Sequence, residues 1–343
     1  MTTILTRTKL AMNTDKQELA DASIRISKEL ECKGYSKHKL QTTSWIVKIR
    51  EHVENSERGN QPLFNTGSNT EGTDVSGSDR DVMVGFPNVT VTQTHESIPC
   101  LDNNHVFLMI QDGTRPCYTR LRLLREGIGK NKENDLFISL GGKEKLCIKE
   151  DKYYFLSSRK LTERLRLSVS SNTESSSAHS VSSFHVHGPC VSFDSRVGKI
   201  MFDSDFAFCL PCNFLPKEAD AFLSRHIACN WPPENIINNC TRGCHLVPVG
   251  DKTSEVQTTE WRVSYALLER ELVWSFNDTV CKCYVLLKML LKQHIDHIAP
   301  DQISSYTLKT MMFWITETEP AELWTEESLI ECLVRCLSKL YSF

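Results

Sequence analysis

Two short runs carry residue types that could act on a phosphate ester. Gly67-Ser68-Asn69-Thr70-Glu71-Gly72 offers flexible backbone, free N–H groups and a hydroxyl, the ingredients for holding phosphate oxygens. A little further on, Ser78-Asp79-Arg80-Asp81-Val82-Met83-Val84 reads as a strand, in which alternate side chains share a face. Asp79 and Asp81 then point one way, and Arg80 and Val82 the other. Two like charges on one face repel, and a cation between them removes the conflict. Hard carboxylate oxygens suit Mg²⁺ or Mn²⁺ better than zinc. Taken alone, each run also reads as a polar turn or an acidic strand end. In this order they read as a phosphate grip followed by a metal-binding acid pair, the requirement of metal-assisted phosphoryl or nucleotidyl transfer.

Several elements must position these residues. Between about Asp15 and Val53 there is no proline, and Leu19, Ile24, Ile26 and Leu30 recur at helical spacing, with an interruption expected at Gly34-Tyr35. The charges of this region nearly balance, which is the pattern of a packed amphipathic helix. Val106-Phe-Leu-Met-Ile reads as a strand and Gly113-Thr-Arg-Pro as a turn. Lys199-Ile-Met-Phe and Asp205-Phe-Ala-Phe-Cys-Leu read as two further strands. Asp203 and Asp205 stand at the start of the second, where a third carboxylate would complete a two-metal site. Ser168 to Ser183 is too polar to bury much and is expected as an exposed loop. From Trp261 onward the chain reads helical, with apolar repeats over Leu267–Trp274, Val285–Ile298, Leu308–Ile315 and Leu329–Leu340, and with Pro300 and Pro320 in the breaks. A mixed lobe followed by a helical lobe places a ligand cleft at the junction.

Composition narrows the class. At 343 residues, 40% hydrophobic and 24% charged, the chain can bury a large core. A net charge of −3 gives no global attraction to nucleic acid. Any such contact must be local, at Arg120, Arg122, Arg125, Lys130 and Lys132, or at Arg159, Lys160, Arg164 and Arg166, and both stretches equally suit a solvated surface. No apolar run spans a bilayer and the N-terminus lacks a signal-peptide core, so the expected location is cytoplasmic, with the 14 cysteines as reduced thiols. Cys209-x-x-Cys212 and Cys240-Thr-Arg-Gly-Cys244-His245 have zinc-like spacing. A thiol in an apolar strand, however, is more simply a small buried hydrophobe. His185 and His187 share a strand face without a third ligand, which favours a structural role.

The Gly-Ser…Asp-x-Asp order resembles the signature of the nucleotidyltransferase fold. From about Gly67 to the C-terminus the chain is similar to the Mab family, which includes cyclic GMP-AMP synthase and the cGAS-like receptors of animals. The resemblance implies an α+β, bilobed nucleotidyltransferase fold. An N-terminal spine helix (1–60) would brace a mixed β-sheet catalytic lobe (61–215), followed by a C-terminal helical lobe (216–343). It favours Asp205 over Asp203 as third acid. Trp261-Arg262-Val263-Ser264-Tyr265 is similar to the family's Trp-Arg-x-Ser segment, expected as a helix facing the base, with Glu269 a turn later. Lys288 looks like the lysine that meets the triphosphate. Ser305-Tyr306-x-x-Lys309-Thr310 looks like a helix start whose serine contacts phosphate and whose tyrosine stacks on a base. One departure is clear: only Ser275-Phe-Asn-Asp-Thr-Val-Cys281-Lys-Cys283 stands where cyclic GMP-AMP synthase inserts a zinc ribbon, which weighs against a DNA-sensing mode dependent on it.

The implied function is a cyclic dinucleotide synthase of innate immunity. It would use ATP and/or GTP with Mg²⁺ or Mn²⁺, and double-stranded RNA would be its activating partner, read by shape. Two other readings stay open: a catalytically inactive Mab-type binding or scaffold protein in development, and an enzyme adding nucleotides to RNA ends. Clustered carboxylates favour catalysis, because their repulsion serves nothing without a cation.

Overall fold

In a computed structural model, the structure describes residues 2–59, 61–76, 78–95, 104–127, 146–173, 180–197, 200–225, 231–240, 243–300 and 302–341. The architecture is mixed α+β, with a central mixed sheet and a helical C-terminal region.

Two long helices come first, α1 (Thr2–Cys32) and α2 (Lys37–Arg58). Their break falls where expected: Gly34 takes φ +90, a left-handed conformation that favours glycine, and Ser36 caps α2 by accepting from the Lys39 N–H. The chain then enters β1 (Leu63–Thr66), turns through the single-turn α3 (Gly67–Glu71) and returns as β2 (Arg80–Gly85). Next come β3 (Val89–Thr92), β4 (His105–Ile110), β5 (Tyr118–Arg125), β6 (Cys147–Glu150) and β7 (Tyr153–Leu156). After α4 (Ser158–Thr173), the hairpin of β8 (Ser180–His187) and β9 (Cys190–Val197) leads into β10 (Ile200–Cys212). Two short helices, α5 (Asp220–Leu223) and α6 (Glu234–Cys240), precede β11 (Cys244–Val247) and β12 (Glu260–Ser264). Helices α7 (Ala266–Trp274), α8 (Asp278–Leu290), α9 (Asp296–Ile298), α10 (Ser305–Thr318) and α11 (Leu329–Tyr341) complete the chain.

The main path of the sheet runs β1-β2-β10-β11-β12-β5-β4-β3. The long β10 organises it, because β2 pairs with it in parallel on one side while β9 and β11 pair with it antiparallel. One buried cluster, including Phe107, Leu121, Leu210, Leu246 and Trp261, fills the sheet lobe. Another, including Phe276, Tyr284, Leu308, Met311 and Leu329, fills the helical lobe and extends to Leu30, Leu40 and Val47 of α1 and α2. The N-terminal helices therefore pack into the C-terminal core while α2 also contacts β1, α3 and α7.

Four sequence expectations change here. The two strands expected over 199–210 are one, β10, which runs unbroken over Ile200–Cys212, with Lys199 outside the described residues. The serine-rich stretch is not one loop: α4 continues to Thr173 and β8 begins at Ser180, with 174–179 outside the described residues. Trp261-Arg-Val-Ser264 is strand, not helix, because β12 is pinned between β11 and β5; helix begins only at Ala266. Finally β2 starts at Arg80, so Asp79 lies on its approach.

Candidate nucleotide site

The strand register assembles the acids. Asp205 of β10 stands directly beside Asp81 of β2, and Asp81 in turn is paired with Thr66 of β1. In-register neighbours point to the same face of a sheet, so Asp81 and Asp205 share one face, at the end where β1 passes into Gly67. Asp79 is exposed one residue before the strand, and Asp203 lies on β10 with its side chain outside the described ones. The crowding is visible in the acidity of Asp81, whose carboxyl is raised from 3.8 to about 6. Burial is the main cause; Asp205 and then Asp79 add to it, Lys309 opposes it, and Glu71 adds a little more.

Gly67 meets this set at close range. Its φ is +75, and a Cβ built there would stand 1.7 Å from Asp81 Oδ2. Only glycine lets the turn pass the carboxylate. Gly67 and Ser68 open α3, where first-turn N–H groups lack intrahelical acceptors. The Thr66 hydroxyl donates to the Asp81 carbonyl across the pair at 3.5 Å.

The donor chemistry suits a hard divalent cation: three carboxylates, one of which resists its own charge chiefly through burial and then through the other two. Among the described residues no three His, Cys, Asp or Glu side chains are already gathered into a cage. Asp79, Asp81 and Asp205 are the residues that would hold such an ion.

The C-terminal helices close the other side. Lys309 of α10 bonds Glu71 of α3 at 2.5 Å and reaches Glu269 of α7 at 3.4 Å, while the Tyr306 hydroxyl donates to Glu269 at 3.4 Å. Glu71 is 1% exposed, so Lys309 supplies the charge that makes its burial tolerable. Tyr306 is 61% exposed and, with Glu269, Tyr265, Phe222, Phe313 and Trp314, lines a largely apolar cavity of about 250 Å³.

Residues 279–343 match the Mab-21 protein HhH/H2TH-like domain. The family of that domain lies within the nucleotidyltransferase superfamily. The Mab-21 match covers nearly all of α8 and all of α9 to α11, and so includes Lys288, Ser305, Tyr306 and Lys309; Gly67, Ser68 and the acids precede it. No curated protein matches the chain.

Within the Mab-21-type segment, Ser304 is the cap of α10, accepting from the Thr307 N–H, so Ser305 is the first helical residue and is exposed. Lys288 is 2% exposed and donates to the Thr73 carbonyl at 2.9 Å, holding the loop that follows α3. Burial, partly offset by Glu71, lowers its ammonium from 10.5 to about 8. In β12, Arg262 is exposed and paired with Val247 of β11, and it acts electrostatically on Cys190, as do Asp205 and Asp81. Ser264 accepts from the Ala266 N–H at 3.4 Å where β12 passes into α7.

Other sequence candidates are occupied elsewhere. Arg120 pairs with Glu150, bonds Thr259 and lies 3.8 Å from the Phe155 ring centre; Arg122 lies over Tyr153. Lys130 and Lys132 fall outside the described residues. On α4, Arg159 pairs with Glu163 one turn on. Cys209, Cys212 and Cys244 are buried. Burial pushes the Cys209 thiol up, and contact with Cys244 does the same for Cys212. His245, beside Phe64, is lowered to about 4 by burial and by Arg270. Among the described residues this is thiol packing rather than a zinc cage. No helix among the described residues is long and apolar enough to cross a membrane.

Proposed function

We propose that this chain is a metal-dependent nucleotidyltransferase that joins ATP and/or GTP into a cyclic dinucleotide, in response to a nucleic-acid ligand, double-stranded RNA foremost. One observation carries the reading: parallel pairing sets Asp205 beside Asp81, within contact of the Gly67 turn. Gly67 and Ser68 would hold the donor triphosphate, and Asp79, Asp81 and Asp205 would hold Mg²⁺ or Mn²⁺. Such ions, when bound, lower the pKa of the acceptor ribose hydroxyl and neutralise charge on the leaving pyrophosphate. Tyr306, lining the apolar cavity, offers a stacking face for a base, and Arg262 and Ser264 would offer donors to a base, as the resemblance of the Trp-Arg-x-Ser segment implies. Lys288 would act on the triphosphate through the loop it holds by its bond to the Thr73 carbonyl. Cyclic dinucleotide synthesis, RNA sensing, a cytoplasmic location and a role in immunity rest on the resemblance of the motifs.

Incubation with labelled ATP and GTP plus Mg²⁺ or Mn²⁺ tests this, run without nucleic acid, with duplex RNA and with duplex DNA. The expected result is a small phosphatase-resistant product that Asp79→Asn abolishes. Lengthening of an oligonucleotide primer would instead favour the RNA-end enzyme. Absence of product under every condition, from folded protein that still binds nucleotide, would overturn catalysis in favour of a binding role.

A further inference from the structure

The phosphate grip is located by an ion pair far from it in sequence. Among the described residues strand β1 is the edge of its sheet, so the outward N–H and C=O of Asn65 have no strand partner there. They are satisfied by two side chains from opposite ends of the chain. Glu51 of α2 accepts the Asn65 N–H at 2.6 Å, and Arg270 of α7 donates to the Asn65 carbonyl at 2.7 Å. Glu51 and Arg270 also pair with each other in a fork, at 2.7 and 3.3 Å. Their side chains are only 13% and 6% exposed, so the pair is shielded from solvent and its geometry is well defined.

Neighbouring contacts extend the same clamp. Arg80, which opens β2, donates to the Asn65 side-chain oxygen at 3.2 Å. The Arg270 guanidinium lies 4.7 Å from the Trp274 ring centre, and Trp274 Nε1 donates to the Thr70 carbonyl inside α3. Both flanks of Gly67-Ser68 are thus tied to α7, and the upstream flank to α2 as well.

We propose that Glu51 and Arg270 are positioning residues for the Gly67-Ser68 phosphate grip, fixing the Asn65 peptide two residues before it; this rests on the nucleotide reading of the grip. Glu51 offers only acceptors and Arg270 only donors, so each matches one of the two outward backbone groups of Asn65. A clamp of this kind acts on where triphosphate sits, and displacement of about 1 Å in such a group is costly to binding and turnover.

The test uses the full chain and reads three quantities: affinity for ATP and GTP with Mg²⁺ by calorimetry, amide exchange across Asn65–Ser68, and the thermal midpoint. Glu51→Gln and Arg270→Lys are expected to weaken nucleotide affinity roughly ten- to a hundred-fold and to speed exchange at Asn65. The decisive variant combines Glu51→Arg with Arg270→Glu. It restores an ion pair, but turns a donor toward the Asn65 N–H and an acceptor toward its carbonyl. Recovery of the thermal midpoint without recovery of affinity supports positioning. Recovery of both, or unchanged affinity in folded Glu51→Gln and Arg270→Lys proteins, overturns it. If the unaltered chain binds neither nucleotide, the nucleotide reading fails and the proposal with it, an outcome distinct from variants that bind as well as the parent.

Discussion

Replacing Asp81 with asparagine tests whether the three carboxylates form a charge-strained set. The Asp81 carboxyl ionises near 3.8 in the unfolded chain and at about 6 in the folded one, chiefly through burial and then through Asp205 and Asp79. Between those values the folded protein retains a proton that the unfolded chain has released. Stability therefore falls as pH rises from about 4 to 6, and above that window the penalty is complete. A difference of about two pH units corresponds to about 3 kcal/mol. Asparagine keeps the shape and removes the charge, so at pH 7.5 in chelator Asp81→Asn should be the more stable protein by about that amount. Unfolding entropy of about 2 cal/mol/K per residue makes this a rise of roughly 4 °C in the thermal midpoint. At pH 4 the two proteins should melt together. Adding Mg²⁺ or Mn²⁺ should reverse the order at neutral pH, because the parent gains binding energy that the variant lacks. Calorimetric melts of both proteins from pH 4 to 8, with and without metal, supply every comparison. An Asp81→Asn protein that melts below its parent at pH 7.5 in chelator would refute the argument, as would a difference independent of pH.

Gly67→Ala should cost about 1–2 kcal/mol for the left-handed backbone alone and should also displace the Asp81 carboxylate, abolishing stabilisation by metal. Gly113 has φ +80 and nothing within 4 Å of an added Cβ, so Gly113→Ala isolates the backbone cost; equal effects of the two on metal-dependent melting would contradict the contact with Asp81. Lys288, lowered to about 8 from 10.5, is penalised while charged, so its contribution to stability improves as pH rises from 8 to 10.5. Lys288→Met should remove that part of the rise in chemical-denaturation titrations, and a variant with the same pH slope as its parent would show that the ammonium is not desolvated.

The legible part of the fold was the part encoded locally. Helical periodicity and Gly34 gave the two N-terminal helices, and the breaks at Pro300 and Pro320 separate the C-terminal ones, because amphipathic spacing and chain-breaking residues act over a few neighbours. What was misread depends on partners. Trp261-Arg-Val-Ser264 does alternate apolar and polar, as a half-buried strand would, but four residues are too few to outweigh the helix expected from the motif; pairing with β11 and β5 fixes it as a strand. Ser168, Ser170 and Ser171 belong to the last turns of α4, although nothing local favours serine there over a turn.

The same division runs through the candidate site. Gly67, Asp79 and Asp81 stand out by residue type and spacing, and their chemistry can be argued before any fold is known. That Asp205 rather than Asp203 is in register with Asp81 is a property of parallel pairing between strands separated by more than a hundred residues, and only resemblance pointed to it. Glu71 lay in plain view within the Gly-Ser run, but its bond to Lys309 spans 238 residues. Glu51 and Arg270, 219 residues apart, gave no signal at all, since a glutamate and an arginine on amphipathic helices look like solvated surface until they are found buried against one another. Residues that would touch a reacting group are constrained in kind and so can be read one at a time. Residues that hold them in place are constrained only in pairs, and a pair becomes readable when the fold brings its members together.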